Sequence, residues 1–195
     1  MKKSVLLFVA VVAFSAASYA QGVNFGIKAG VNIANQKMSF GSLSETGDAL
    51  IGFHVGGFAS IMFTEKFGLQ PELLYNAVGS KMEDTEFKSS YLSVPVMFRY
   101  QPIEILNIHA GPQFGFLLSS KVGDEDFKDF SKSLDLGLGF GAGIDLPMGI
   151  GFSARYVLGL SNTWDVEEVD EFFGEDLTVK NNVFQISVSY RFGGN

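Results

Sequence analysis

The chain contains no cysteine in 195 residues. That excludes disulfides, thiolate catalysis and thiolate metal sites, and it leaves no thiol to carry a lipid anchor. Histidine is nearly as scarce: His54 and His109 are the only two, and they lack the short spacing of a His-x-x-x-His metal ligand pair. Basic residues are outnumbered, 14 against 21 acidic ones, for a formal net charge of −7. Such an acidic chain is a poor match to nucleic acid. Long apolar runs are missing too. Beyond residue 20 no stretch reaches the roughly 18 apolar residues that a membrane-spanning helix requires.

The first twenty residues, "MKKSVLLFVAVVAFSAASYA", differ from the rest. Lys2 and Lys3 precede an apolar core from Val5 to Phe14, and Ser18-Tyr19-Ala20 gives a small-x-small cleavage site. This pattern predicts a secretory signal peptide over residues 1–20, with one domain over 21–195. Its removal takes away two lysines and no acid, so the net charge moves from −7 to −9.

What the remaining chain does have is alternation of side-chain type with period two, the mark of strands with two unlike faces. Eight segments show it: Val23–Ala34, Leu50–Phe63, Phe67–Val78, Ser90–Tyr100, Ile105–Leu118, Leu134–Leu146, Gly149–Ser161 and Val183–Phe192. In the sixth, "LDLGLGFGAGIDL", even positions are Leu, Phe, Ala or Ile and odd positions are Gly or Asp. In the last, Phe184, Ile186, Val188, Tyr190 and Phe192 alternate with Gln185, Ser187, Ser189 and Arg191. The intervening segments alternate in length: "TEK", "QPIE" and "PM" are short, while "NQKMSFGSLSETGDA", "GSKMEDTEFKS", "SSKVGDEDFKDFSKS" and "NTWDVEEVDEFFGEDLTVKNN" are long and polar.

A soluble barrel would turn its polar face to water, and that face should be rich in Lys and Glu. Here it is Gly, Ser and Asn with isolated charges, which suits the cramped interior of an eight-stranded barrel. The other face is too bulky for that interior; the chain carries 20 Phe, and lipid is the surface that accepts them. Short turns at one end, long loops at the other and aromatics near strand ends are the features of an outer-membrane barrel. The expected fold is therefore an all-β, eight-stranded, antiparallel up-and-down transmembrane β-barrel. Pro71, Pro95 and Pro112 fall inside expected strands, where a closed sheet offers no free edge. Bulges or broken ladder bonds are expected there, with the register of strands three to five left open.

"LQPELLYNAVGSK", "YLSVPVMFRY", "HAGPQFGFLLSSK", "ARYVLGLSN" and "NNVFQISVSYRF" together resemble the successive segments of the PorT-like outer-membrane β-barrel proteins. The resemblance runs from "FGIKAGVNIA" to "YRF" and includes all three prolines. It implies a small barrel of the OmpX and OmpA kind in a Gram-negative outer membrane. The family's founding member is associated with a secretion and gliding apparatus. Chains of this kind often end on the aromatic residue, whereas this one continues past Phe192 as "GGN". The barrel-insertion machinery would then read the last strand at an internal Phe192.

Inward-facing charges are few and of both signs. Lys28, Glu72, Arg99, His109, Asp145, Arg155 and Arg191 fall in the periplasmic half by position along their strands; Asp135 and His54 are expected nearer the outer rim. Isolated charges in a narrow bore are costly unless paired. A salt-bridged plug centred on Glu72 and Arg155 is expected, as a structural filling of the bore in preference to a gated ion path. No nucleophile elbow is present, and the glycines of 137–143 are strand glycines without a strand-to-helix phosphate loop. No enzyme, cofactor or metal is expected. The loops "DEDFKDF" and "WDVEEVDEFFGED" mix acids with aromatics but lack the calcium-loop spacing. Trp164, Phe172 and Phe173 are candidate contacts for an extracellular or secretion-apparatus protein. The expected state is a monomer in outer-membrane lipid that holds surface contacts or supports envelope integrity, with a narrow pore and a secretion or gliding accessory as alternatives.

Overall fold

Alternation becomes ladder pairing along most of the described residues. The computed structural model describes residues 23–40, 43–82, 85–123, 125–126, 128, 131–163 and 177–192. The expected signal peptide and Trp164, Phe172 and Phe173 lie outside the described residues. The strands are β1 (Val23–Phe40), β2 (Leu43–Thr46), β3 (Asp48–Met62), β4 (Phe67–Met82), β5 (Thr85–Ile103), β6 (Leu106–Val122), β7 (Glu125–Asp126), β8 (Leu134–Asp145), β9 (Ile150–Gly159) and β10 (Leu177–Arg191). Eight of them are long, and each of these pairs antiparallel with its sequence neighbour; β2 and β7 are short additions to β1 and β6. Pairing of β1 with β10, from Gly26 opposite Arg191 to Phe40 opposite Leu177, closes the sheet. Closure removes the free edges, so the wall's backbone polar groups are satisfied within it, as hydrocarbon demands.

The faces fall as the alternation requires. Phe25, Ile27, Val31 and Ile33 are exposed on β1, while Lys28 and Asn32 between them are buried. On β8, Leu138, Phe140 and Ile144 point out, and the glycines between them face the bore. Those glycines make room for specific neighbours: a Cβ at Gly139 would stand 2.9 Å from Met97 Cε, and one at Gly141 would stand 2.9 Å from His109 Nε2. The missing side chains of one strand are the space occupied by those of its neighbours.

The core lies inside the barrel. Leu74 and Met97 are fully buried there, and Ala34, Val78, Tyr91, Leu117, Val157 and Val183 form an apolar cluster nearer the extracellular end. Short turns close the periplasmic end. Thr64 Oγ1 accepts hydrogen bonds from the amides of Lys66 and Phe67 between β3 and β4. Between β8 and β9, Gly149 has φ +83 and its amide bonds Leu146 O at 3.0 Å. A left-handed glycine closing a short turn suits a tight hairpin of this kind.

The strands outrun their sequence limits on the extracellular side. "GSKMEDTEFKS", expected as a loop, is mostly ladder, with Gly79 opposite Lys88 through to Met82 opposite Thr85. Likewise β1 passes its expected end at Ala34 and continues to Phe40. Above the lipid there is no apolar stripe to mark a strand, so the alternation fades while the hydrogen bonding continues.

The prolines interrupt pairing without changing register. Pro71 pairs with Val96 on β5 but has no ladder partner on β3; Pro95 pairs with Gln113 on β6 but not with β4; Pro112 pairs with Leu138 on β8 but not with β5. In each case the gap faces the preceding strand, where a proline has no N–H to donate. The register shifts lie elsewhere, between Ala49 and His54, at Ser90/Tyr91 and between Tyr100 and Ile103.

Candidate functional site

Period-two inward positions on seven strands bring the expected charges into one bore. Glu72 of β4 is at its centre. Its Oε1 accepts from Lys28 Nζ at 2.7 Å, Arg155 Nη2 at 2.7 Å and Gln70 Nε2 at 2.8 Å, and its Oε2 accepts from Arg155 Nη1 at 2.9 Å. The Arg155 fork is bidentate, the geometry that makes such pairs strong. Glu72's side chain has no solvent exposure, and those of Lys28 and Arg155 have 5% and 3%.

A second group sits toward the periplasm. Arg99 donates to Gln70 Oε1 at 2.8 Å and forms an ion pair with Asp145. Asn107 donates to Asp145 Oδ2 at 2.8 Å, which fixes its amide and leaves Oδ1 to accept from His109 Nδ1 at 3.0 Å. Arg191 lines the same small cavity as Lys28, Arg99, His109 and Asp145 but makes no ion pair among the described residues. Lys28, Glu72 and Arg155 thus meet at the centre, Arg99, Asp145 and His109 belong to the second group, and Arg191 lies beside it.

His54 departs from its expected place near the outer rim. It is 1% exposed and lies opposite Gly30 of β1, two pairs above Lys28, because β1 runs on past Ala34 to Phe40 and the rim stands that much higher. Asn32 Nδ2 donates to the carbonyls of Phe53 and Ala77, so Asn32 Oδ1 is the acceptor at 2.8 Å from His54 Nδ1. His54 Nε2 then accepts from Ser187 Oγ at 2.9 Å. This Ser–His–Asn order matches that of a nucleophile triad. However, all three side chains are buried, and neither of the two cavities in the bore is lined by Ser187 or His54. The arrangement holds the imidazole in place among buried side chains.

Nearer the extracellular end, Asp135 accepts from Asn181 Nδ2 at 2.9 Å and Ser161 Oγ at 3.0 Å. Asn181 also links to Tyr91 and Gln36, and Ser80 donates to Gln36. Two cavities of about 20 Å³ each flank the central network and share no lining residue. Each has room for a water or two. Among the described residues no three acids or histidines are grouped closely enough to hold a metal.

A closed eight-stranded wall, lipid-facing aromatics and a polar bore together describe a membrane barrel. A family model described as outer membrane protein beta-barrel domain matches residues 17–165. The chain belongs to that family. As a member of the outer-membrane β-barrel family it resides in the outer membrane, with β10 completing the wall beyond the matched segment.

Among solved structures, Neisserial surface protein A (NspA) is similar over 88% of this chain and 100% of its own, at 17% identity and a TM-score of 0.59. Ail, the attachment invasion locus protein of Yersinia pestis, is similar over 88% of this chain and 99% of its own, at 17% identity and a TM-score of 0.52. At these identities the likeness is one of fold. No curated protein matches the chain.

Sequence reasoning singled out the charges of this barrel and overlooked the amides. Asn32, Asn76, Gln185, Gln70, Gln36 and Asn181 carry much of the network. The available signal was parity, since each occupies an inward position on its strand.

Proposed function

We propose that this outer-membrane barrel is a sealed, non-enzymatic anchor that holds acidic extracellular loops at the cell surface for contact or envelope integrity. The observation that carries the reading is the central network: Glu72, Arg155, Lys28 and Asn32 fill the bore between two water-sized cavities that share no wall. Eight strands leave an interior that side chains alone fill. The loop sequences "DEDFKDF" and "WDVEEVDEFFGED" join repelling acids to aromatics, a composition suited to a selective protein partner through Trp164, Phe172 and Phe173. The PorT-like resemblance belongs to the same proposal and makes a secretion-apparatus component one class of that partner. What supports the plug over the narrow pore is that Lys28 and Arg155 reach Glu72 across the bore with all three side chains buried.

Two measurements test this. Single barrels in planar bilayers are expected to show no steady conductance; a stable open level abolished by Glu72→Ala would replace the anchor with a pore. Deleting residues 166–176 is expected to leave the folded barrel's gel mobility shift on heating intact. Surface cross-links to other envelope proteins should disappear with the loop. Loss of membrane insertion instead would make that loop part of the barrel's folding.

A further inference from the structure

On the wall made by β1 and β10 the outward face can be followed row by row. Ile27 opposite Tyr190, Ala29 opposite Val188, Val31 opposite Ile186 and Ile33 opposite Phe184 face lipid. The next outward rows are Asn35 with Asn182, then Lys37 with Lys180, then Ser39 with Thr178. β2 adds Thr46 opposite Lys37 and Ser44 opposite Ser39. With a rise of about 3.4 Å per residue and a tilt of about 40°, Lys37 stands roughly 10 Å above Ile33 along the membrane normal. The headgroup layer is about 5–8 Å deep on each side, so Lys37 stands at its outer edge, with a side chain long enough to reach down into it.

Like charges placed directly opposite each other weaken a ladder. Lys88 on β5 and Lys121 on β6 also lie opposite each other, but Lys88 forms a 2.5 Å ion pair with Glu86, and Lys81 lies opposite Asp48 on β3 and Glu86 on β5. Lys37 and Lys180 face each other with no acidic partner among the described residues. Around them the outward positions are amides and hydroxyls, groups that bond phosphate and sugar oxygens.

We propose that Lys37 and Lys180 clasp the phosphate of an anionic outer-leaflet glycolipid, with Asn35, Asn182, Ser39 and Thr178 flanking its headgroup. Two ammonium groups in one row match the charge of a phosphate monoester, and bound phosphate removes their mutual repulsion. The acyl chains of the same lipid then lie down the β1–β10 wall, along Ile33, Phe184, Val31 and Ile186. Basic side chains at membrane level draw anionic headgroups in this way, and their long stems let the charged ends settle at the interface. The site depends on the barrel's orientation in the membrane and is independent of whether the bore conducts.

The test uses the full barrel in phosphatidylcholine nanodiscs doped with a bisphosphorylated diglucosamine lipid, and measures retained glycolipid by native mass spectrometry. Lys37→Gln/Lys180→Gln is expected to lose about tenfold in retention, and each single variant about threefold. Lys88→Gln/Lys121→Gln removes the same charge from the opposite wall and is expected to change retention by less than about twofold. The dephosphorylated glycolipid is expected to bind wild type and the Lys37/Lys180 double variant alike. Equal losses in both double variants would reduce the effect to general charge attraction and overturn the site. So would inorganic phosphate binding the detergent-solubilised barrel as tightly as the glycolipid does, since the ligand would then be soluble. The heat-dependent gel shift reports folding for every variant, and the single variants carry the comparison should a double variant not refold.

Discussion

Glu72→Ala is expected to destabilise the barrel by about 3–5 kcal/mol, because removing one partner of a buried ion network leaves the others charged and unpaired. Lys28, Arg155 and Gln70 all donate to this one carboxylate, whose side chain has no solvent exposure. Urea titration of the barrel in lipid vesicles, read by the folded band on unheated gels, measures the loss. Glu72→Gln keeps the shape and an acceptor but not the charge, so an intermediate loss is expected. Replacing Glu72, Lys28 and Arg155 together with apolar residues of similar size should recover much of the stability, since well-packed apolar groups often replace a buried ion network at little cost. A loss of under roughly 1 kcal/mol for Glu72→Ala, the size of an exposed pair's contribution, would mean that water reaches the network and that the bore is not sealed.

Ile186→Arg is expected to cost about 2–4 kcal/mol, the penalty for a cation on the lipid face near the bilayer midplane. Ile186 is 48% exposed, faces outward, and lies between Val31 on β1 and Ala154 on β9, midway along the lipid-facing rows. Thr178→Arg, on the same strand and the same face but above Lys180, should cost no more than about 1 kcal/mol, as near-interface positions do. The same unfolding assay in vesicles gives both values. If the two costs were equal, the outward stripe of β10 would not be crossing hydrocarbon. The orientation of the whole wall would then have to be reversed.

Both expectations draw on features that differ in how far the sequence revealed them. The lipid stripe of β10 could be read directly, because strand parity is local: Phe184, Ile186 and Val188 share a face whatever the other strands do. The prolines illustrate an intermediate case. Their positions predicted lost ladder bonds, which occur, but register held on either side of each gap. Neighbouring pairs of the same two strands on either side of each gap fix that register. The extracellular extension of β4 and β5 was invisible for a different reason. Above the membrane neither face is pressed against lipid, so no selection for apolar side chains marks the strand.

The amino-acid sequence by itself determined the class of fold, the strands that cross the membrane and the face each side chain takes. Those follow from a repeat of two residues and the chemistry of a lipid surface, both set within a few positions along the chain. The tertiary structure alone decided which inward groups meet. Lys28 and Glu72 are 44 positions apart, and Arg155 and Glu72 are 83 apart. Only the stagger of a closed barrel puts their side chains at one level. The extension of β1 beyond the lipid left His54 in mid-bore below a higher rim, and closure of β1 on β10 set Lys37 opposite Lys180. Such meetings depend on every strand's offset at once, and no short stretch of sequence carries that information.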